Sequence, residues 1–272
     1  MTDISAQRGF QVGGQPGDLF AGAATAYATF RRPYPPEVVK QLIERCSLDG
    51  RGRLLDAGCG TGQVFQVMAR HFDDVLAIDP DPEMVAHARR VAADLALENV
   101  EVRQMRAEDI LADIAPLRAA IFGASFHWTD RPRISDTIYD LLEPDGCLVV
   151  LSPGSIHGGT TDWEAAIRDL LARHIGAERR AGGGVYRVGE RHEEVLRRTR
   201  FVRVEIVDIP VRERWSIEQI VGYLASTSYA SKAVLGDRAA AFEGELHRLL
   251  NGLAYGGEFE KLVEYSVIIA RR

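Results

Sequence analysis

An α/β fold with a doubly wound, mostly parallel sheet is what the sequence predicts most directly. Short apolar segments alternate with amphipathic helical patterns between residues 36 and 151. This alternation is typical of parallel strands joined by helices that cover both faces of a sheet. The 272 residues are 46% hydrophobic and contain no linker rich in Pro and Ser. We therefore expect one large core and a single domain over 1–272.

The first helix is predicted to begin near Pro36, after a segment without periodicity. Residues 1–24 are rich in Gly, Gln and Ala, so we interpret 1–35 as an N-terminal lid or a frayed terminus. Proline suits a first helical turn, and an apolar stripe at helical spacing follows it. The stripe consists of Val38, Val39, Leu42, Ile43 and Cys46.

Strands and helices alternate beyond this helix, as a parallel sheet requires. The predicted segments are, in order, the strand RLLDAG, the helix GQVFQVMARHF, the strand VLAID, the helix PEMVAHARRVAADLA, the strands VEVRQM and AAIFGAS, a helix over 135–142, the turn EPDG and the strand CLVVLS.

The alternation stops after Pro153, and we interpret residues 153–200 as a cap or insertion. A helix is predicted over 162–174, followed by a basic stretch that glycines interrupt. The sheet is predicted to resume with VRVEIVDIPV, and helices are expected around 217–224 and 238–250. The final segment, EYSVIIARR, has the apolar pattern of a last strand.

Composition favours a small-molecule partner and a reducing compartment. A net charge of −6 argues against a protein built around a basic nucleic-acid footprint. Cys46, Cys59 and Cys147 are scattered, without the dense, even usage of a disulfide scaffold. No segment approaches the ~20 apolar residues of a membrane span, and the first residues lack a secretory pattern. We expect a cytoplasmic protein without nucleic-acid or membrane partners.

A glycine-rich loop lies between a predicted strand and a predicted helix. Gly58, Gly60 and Gly62 would let the backbone approach a ligand closely, with helix N–H groups facing it. A tight strand-to-helix turn without a ligand is the alternative. The third glycine of a dinucleotide fingerprint would fall at Gln63, so a nicotinamide cofactor is disfavoured.

Asp79 ends the next predicted strand, 21 residues after Gly58. A carboxylate at this distance from the loop can reach the ribose hydroxyls of a nucleoside. Asp81 precedes Pro82 and Glu83, and there we expect helix capping instead of ligand binding.

The segment LLDAGCGTG resembles the complete first motif of the class I S-adenosylmethionine-dependent methyltransferases. Together with YATFRRPYP, RAEDI and ASFHWTDR, it resembles the subgroup that includes trans-aconitate methyltransferase and related small-molecule enzymes. The resemblance covers roughly 27–151 and the closing strand. It implies a Rossmann-like, seven-stranded, mostly parallel sheet whose last strand is antiparallel. It also implies S-adenosylmethionine as the cofactor and methyl transfer to a small molecule.

The resemblance further implies which residues bind the cofactor. An arginine of the N-terminal segment would hold the methionine carboxylate through its planar donor fork; Arg32 is preferred and Arg31 is the alternative. Glu108 would meet the adenine edge or, alternatively, is a solvated surface charge. The cofactor-binding residues so implied are Tyr27, Arg32, Asp56, Gly58, Cys59, Gly60, Gly62, Asp79, Pro80, Met84, Ala107, Glu108, Ala124 and Ser125.

Two residues of FHW are candidates for the chemical step. A base is useful only when the acceptor carries a proton, and His127 is the candidate catalytic base. The alternative is a histidine that packs beside Trp128. Trp128 is expected to form an aromatic wall of the acceptor site or to pack in the core.

The sequence gives fewer signals for the residues that bind the methyl acceptor than for those that bind the cofactor. Arg187, with other basic residues of the cap, suggests an anionic acceptor, although ERHEEVLRR has the charge spacing of an ordinary exposed helix. Tyr223 and Tyr229 are further acceptor-binding candidates, and amphipathic packing is their alternative. The other basic residues are Arg179, Arg180, Arg191 and His192.

The predicted function is methyl transfer to a small molecule, with O-methylation favoured over N- or C-methylation. A noncatalytic S-adenosylmethionine-binding regulatory protein is the alternative. No HxH or HExxH spacing suggests a metal site, and neither a GxSxG nor a GxxxxGK[ST] motif is present.

Overall fold

The computed structural model describes residues 10–11, 24–176, 178, 180–181, 184–185, 187–254 and 256–272. Most of the predicted lid therefore lies outside the described residues, as do Arg179 and the side chains of 180–188. The chain divides into two compact units. The helical unit comprises Met1–Arg31, Gly154–Val188 and Pro210–Glu264, and the sheet unit comprises Arg32–Pro153, Gly189–Ile209 and Tyr265–Arg272.

The strands that the structure describes are β1 (Phe10–Gln11), β2 (Arg53–Ala57), β3 (Asp74–Asp79), β4 (Val100–Gln104), β5 (Leu117–Gly123), β6 (Leu142–Pro153), β7 (Arg180–Ala181), β8 (Gly184–Val185), β9 (Arg187–Val188), β10 (Arg203–Ser216) and β11 (Glu258–Arg271). The helices are α1 (Ala24–Phe30), α2 (Pro36–Arg45), α3 (Phe65–Met68), α4 (Pro82–Asp94), α5 (Arg131–Leu141), α6 (Asp162–Ile175), α7 (His192–Arg197), α8 (Ile217–Ala225), α9 (Lys232–Leu235) and α10 (Ala239–Leu253).

Seven strands form one sheet in the order β10-β11-β6-β5-β2-β3-β4. The pairs β2–β3, β3–β4, β2–β5 and β5–β6 are parallel, whereas β11 is antiparallel to β6. The predicted doubly wound sheet with an antiparallel last strand is confirmed. Its central strands are apolar because both faces are covered: β2 and β5 bury nearly every side chain.

Each unit has its own core. In the sheet unit, buried residues of β2, β3, β5 and β6 pack with α5 and α7; Phe122, Phe126 and Ile138 are among them. In the helical unit, α6, α8 and α10 bury a second cluster that includes Trp163 and Phe242. The predicted segment 153–200 is divided between the units, since 154–188 belongs to the helical unit and 189–200 to the sheet unit.

Three local predictions were wrong in their boundaries. The helix α5 begins at Arg131 because Asp130 caps it, accepting a hydrogen bond from the N–H of Arg133 (3.3 Å). The predicted turn EPDG lies within β6, where the register against β5 shifts and Asp145 has a φ of 66°. The helix predicted from GQVFQVMARHF is short: α3 ends at Met68 and a 3-10 turn follows.

The interpretation of ERHEEVLRR as an ordinary exposed helix is only partly correct: Glu194, Arg197 and Arg198 are exposed, but other polar residues are not. In α7, His192 and Glu193 are each only 1% exposed, and Val195 and Leu196 are buried beside them. The charge spacing misled because this helix packs against α5, whose Arg131 supplies a buried polar partner. Within the described residues, no helix is long and apolar enough to cross a membrane.

Candidate functional site

The winding direction of the sheet reverses between β2 and β5. The chain proceeds from β2 to β3 and β4 on one side, and from β5 to β6 on the other. Ligands of open α/β sheets bind at the carboxyl ends of strands at such a reversal. The segments that follow β2 and β5 are the glycine loop and Ala124–Ser125, so the topology brings together two groups of predicted site residues.

The glycine loop is a tight turn held against β3. The backbone N–H groups of Gly58 and Cys59 both donate to the carbonyl oxygen of Ile78, at 2.8 and 2.9 Å. Gly58, Gly60 and Gly62 have φ values of 68°, 54° and 102°, in the left-handed region that favours glycine. This backbone path explains why glycines occupy the three positions.

Close contacts leave no room for a side chain at two of these glycines. A Cβ at Gly62 would lie 2.4 Å from the ring of Phe65, which is fully buried. A Cβ at Gly58 would lie 2.5 Å from the Cβ of Ser125. The loop is therefore packed tightly on its inner side, while Gly58 and Gly60 stay partly exposed.

Ser125 connects the two segments. Its hydroxyl donates to the carbonyl oxygen of Ala57 at 2.5 Å, across the gap between the ends of β5 and β2. Ala124, just before it, has a φ of 56°, and its N–H donates to Leu151 at 2.9 Å. An alanine in the left-handed region is uncommon, and such strain concentrates at functional sites.

Asp79 organises the loop from the end of β3. One of its carboxylate oxygens accepts from the N–H of Gly60 and the other from the N–H of Asp81, both at 2.9 Å. Burial raises the pKa of Asp79 to about 6. Each carboxylate oxygen has a second lone pair, so Asp79 can also accept hydrogen bonds from ribose hydroxyls. Asp81 caps α4, as predicted, by accepting from the N–H groups of Glu83 and Met84.

Asp56 is a fully buried carboxyl group beside the loop. One oxygen accepts from the N–H of Phe65 at 3.2 Å, and the other has no hydrogen-bond partner among the described residues. Burial raises the pKa of Asp56 to about 8, and the nearby charge of Asp79 adds to the effect. A buried polar atom without a partner is costly, so this oxygen fits a polar group of a ligand. Burial also raises the pKa of the Cys59 thiol well above its ordinary value, which disfavours it as a nucleophile.

The predicted adenine side is formed by β4 and the turn after it. Met84 and Ala107 are buried, and the side-chain amide of Gln104 donates to the carbonyl oxygen of Pro80 at 3.2 Å. Glu108 accepts from the N–H of Asp130 at 3.2 Å and lies 3.5 Å from the guanidinium of Arg106. Glu108 is thus fixed in position and largely covered.

His127 is half-buried and lies against other aromatic rings. Its ring centroid is 4.5 Å from that of Trp128, and it stacks on His192 at 6.3 Å with an interplanar angle of 15°. The guanidinium of Arg131 donates to the carbonyl oxygen of Glu190 at 2.7 Å and lies 3.1 Å from Nδ1 of His192. The sequence reasoning missed Arg131, because an arginine in a first helical turn gives no signal of burial.

His192 is expected to remain neutral throughout the physiological range. Burial lowers the pKa of His192 to about 3, and the charge of Arg131 contributes. Between pH 3 and about 6.5, the unfolded chain then binds a proton that the folded chain does not. The contribution of His192 to stability is therefore complete above about pH 6.5 and is lost as the pH falls.

NMR titration of the histidine ring signals checks this prediction. The signal that disappears in His192→Gln is expected to stay unshifted from pH 8 to pH 5. A midpoint near pH 6.5 for that signal would show that the histidine is accessible and would contradict the buried arrangement.

The N-terminal candidates lie in different surroundings. In the helical unit, the guanidinium of Arg31 lies 4.9 Å from the ring of Tyr27 and 4.4 Å from that of Tyr223, and donates to the hydroxyl of Ser226 at 2.8 Å. Arg31 is thus engaged within that unit, whereas Arg32 is the first residue of the sheet unit.

The remaining candidates are less informative. Tyr229 is buried, and its ring centroid lies 5.4 Å from that of His157. The side chain of Arg187 lies outside the described residues. In the part of the chain that the structure describes, no group of three or more His, Cys, Asp or Glu residues could hold a metal ion.

Comparison with known proteins adds an independent line of evidence. A family model described as a methyltransferase domain matches residues 54–146, which include the glycine loop, Asp79 and FHW. An uncharacterized methyltransferase of Mycobacterium tuberculosis is 32% identical over 129 residues, or 47% of this chain and 49% of that protein. The ubiquinone biosynthesis O-methyltransferase of Xylella fastidiosa is 36% identical over 117 residues, or 42% of this chain and 47% of that protein. The chain matches about half the length of these curated relatives.

Solved structures show the same fold. A protein of Anaeromyxobacter dehalogenans, designated a candidate type II methyltransferase, superposes with a TM-score of 0.61 at 23% identity, over 90% of this chain and 98% of that one. YjhP of Escherichia coli gives a TM-score of 0.53 at 16% identity, over 92% and 99% of the two chains.

Proposed function

We propose that this chain transfers the methyl group of S-adenosylmethionine to a small molecule, through the methyltransferase domain that residues 54–146 match. The observation that carries the proposal is the glycine loop with Asp56 and Asp79 at the reversal of the sheet. A tight backbone turn, an acceptor carboxylate at the end of β3 and an unpartnered buried oxygen suit a nucleoside with a polar tail.

The proposed cofactor contacts follow from these groups. Asp79 holds the ribose hydroxyls, while Asp56 and the backbone of the glycine loop bind the methionine part. Ala124 and Ser125 line the same edge of the sheet from β5. S-adenosylmethionine supplies, when bound, a methyl group that its sulfonium makes electrophilic. The remaining task of the protein is to align an acceptor atom with that methyl group.

His127 is the proposed base when the acceptor carries a proton. Its stacking on His192 and its contact with Trp128 limit the orientations that the imidazole can adopt. A hydroxyl acceptor must lose a proton during transfer, whereas a carboxylate acceptor has none to lose. The role of His127 therefore depends on the acceptor, and this dependence can be measured.

An anionic small molecule that is methylated on oxygen is the proposed acceptor class. The O-methyltransferase of Xylella fastidiosa supports oxygen as the methylated atom. Arg187 and the neighbouring Arg179 and Arg180 support an anion. Trp128, Tyr223 and Tyr229 are the acceptor-binding candidates. The formation of S-adenosylhomocysteine with a panel of aliphatic carboxylates and phenols tests the proposal. An absence of turnover with every acceptor, despite intact cofactor binding, would instead favour a noncatalytic binding protein.

His127→Gln is expected to separate the two acceptor types. With a phenolic acceptor, loss of the base is expected to lower kcat by about 10²–10⁴-fold, with cofactor affinity unchanged. With a carboxylate acceptor, kcat is expected to stay within about threefold of the wild-type value, because no proton is transferred. Equal and complete loss of turnover with both acceptors would contradict a role as base and indicate a packing role. His87→Gln is the control, because His87 lies in α4 and is not among the buried residues of that helix.

A further inference from the structure

A half-open cavity of about 720 Å³ lies in the helical unit. Residues of α1, α8, α9 and α10, and of the segment before α9, line it. Pockets that bind small molecules measure roughly 300–1,000 Å³ and are mostly apolar. None of its lining residues is among the cofactor candidates, so this cavity is not explained by the cofactor site.

The wall of the cavity is largely apolar. Phe30, Val221, Leu235, Phe242 and Leu246 contribute larger side chains. Between them lie six alanines from α1, α8, α9, α10 and the segment before α9, and these small side chains leave the space open. The alanines are Ala26, Ala225, Ala230, Ala233, Ala239 and Ala240.

One polar group in the wall is buried. Ser231 is 3% exposed, and its hydroxyl oxygen has no hydrogen-bond partner among the described residues. Leaving such a group unsatisfied costs about 1–3 kcal/mol. Ser231 belongs to the lining of the cavity, so a rotation of its side chain about χ1 would let a polar atom of a bound molecule satisfy its hydroxyl.

The charged residues of the lining indicate which kind of molecule the cavity can bind. Lys232 follows Ser231, lines the same cavity and is exposed; in the described part of the chain it forms no ion pair. A hydroxyl and an ammonium next to each other are both donors, and together they match a carboxylate. Glu243 on α10 is the acidic residue of the lining, and it is expected to weaken the binding of an anion.

We propose that this cavity binds an apolar monocarboxylic acid, with its carboxylate at Ser231 and Lys232 and its hydrocarbon part against α8 and α10. The proposal goes beyond methyl transfer and does not depend on it, because binding is tested without the cofactor. If the cavity does not bind such an acid, the proposed cofactor site is unaffected. If the cofactor does not bind, the proposal for the cavity is likewise unaffected.

Isothermal titration of the 272-residue chain with dodecanoate, dodecanol and dodecylamine, each below its micellar concentration, tests the charge preference. Dodecanoate is expected to bind at least tenfold more tightly than the alcohol or the amine. Lys232→Met is expected to weaken dodecanoate at least fivefold and to leave the alcohol unchanged, while Glu243→Gln tightens dodecanoate. Lys40→Met, an exposed lysine of α2, is the control. Equal binding of all three compounds, tighter amine binding or no binding of dodecanoate would overturn the proposal.

A pair of neighbouring alanines tests the location. Ala240 lines the cavity and Ala241 does not, although both are exposed residues of α10. Ala240→Phe is expected to weaken dodecanoate at least tenfold by filling space, whereas Ala241→Phe leaves its affinity unchanged. Equal effects of the two substitutions, or no effect of Ala240→Phe in a folded protein, would place any binding elsewhere and contradict the proposal.

Discussion

Gly62→Ala is expected to abolish measurable cofactor binding and to lower the free energy of unfolding by about 2–4 kcal/mol. The added Cβ would lie 2.4 Å from the ring of Phe65, which is fully buried. The φ of 102° at this position is one that alanine rarely adopts. The steric clash and the unfavourable φ would both displace the loop backbone, which is the part of the proposed site that contacts the cofactor.

Chemical denaturation and calorimetric titration with S-adenosylmethionine measure the two effects separately. Gly252→Ala is the matched control: Gly252 lies within α10, and a Cβ there meets nothing within 4 Å. Alanine in a helix is favoured over glycine by up to about 1 kcal/mol, so the control is expected to be neutral or stabilising and to keep cofactor affinity. Wild-type stability and affinity in Gly62→Ala would contradict the tight packing of the loop.

Lys261→Met is expected to destabilise the protein by about 3–5 kcal/mol. Lys261 and Glu164 form an ion pair at 2.7 Å, and their side chains are only 5% and 2% exposed. Glu164 also accepts from the N–H and the hydroxyl of Thr161 at the start of α6. Removing the ammonium leaves a buried carboxylate charge whose remaining partners are neutral, and this is the costly arrangement.

A double-mutant cycle in urea identifies the cause of that loss. Adding Glu164→Gln to Lys261→Met removes the uncompensated charge and is expected to recover at least half of the lost stability. Lys40→Met is the surface control, since the ion pair of Lys40 with Glu44 is exposed and such pairs contribute at most about 1 kcal/mol. A Lys261→Met protein as stable as Lys40→Met would contradict the burial of the pair.

The sheet could be predicted from the sequence because its strands carry their own signal. Strands such as β2 and β5 are largely buried and are therefore mostly apolar, with glycines or prolines near their ends. The helix caps were equally local: Asp81 caps α4 through residues two and three positions further along the chain. Contacts between residues close together in the chain leave a pattern in the sequence, and that pattern was sufficient to predict the strands and the helix cap.

The helical unit could not be predicted, because distant parts of the chain form it. No local sequence pattern predicts that the segments of its core come into contact. The core contains Trp163 of α6, Trp215 of β10, Phe242 of α10 and Phe259 of β11. The burial of His192 was missed for the same reason, since its partner Arg131 lies 61 residues away. The cavity beside Ser231 likewise arises only when four elements pack together.

The glycine loop and Asp79 could be recognised from spacing, whereas the roles of individual site residues stay predictions. The structure adds a physical reason for several of these predicted roles. One oxygen of Asp56 has no partner among the described residues, Ser125 donates a hydrogen bond to Ala57, and Asp79 accepts hydrogen bonds from two backbone N–H groups. A sequence pattern contains none of these contacts.

Calorimetric titration with S-adenosylmethionine, its demethylated product and NADH tests the central claim most directly. Asp79→Ala is compared with Asp81→Ala, which removes a helix cap two residues away and costs about 1 kcal/mol of stability. We expect both sulfur nucleosides to bind the wild type and NADH not to bind. Asp79→Ala is expected to weaken them about 10–100-fold, because a charged acceptor contributes about 1.5–3 kcal/mol, while Asp81→Ala keeps the wild-type affinity. Binding of NADH alone, or equal affinity in the two variants, would contradict the account.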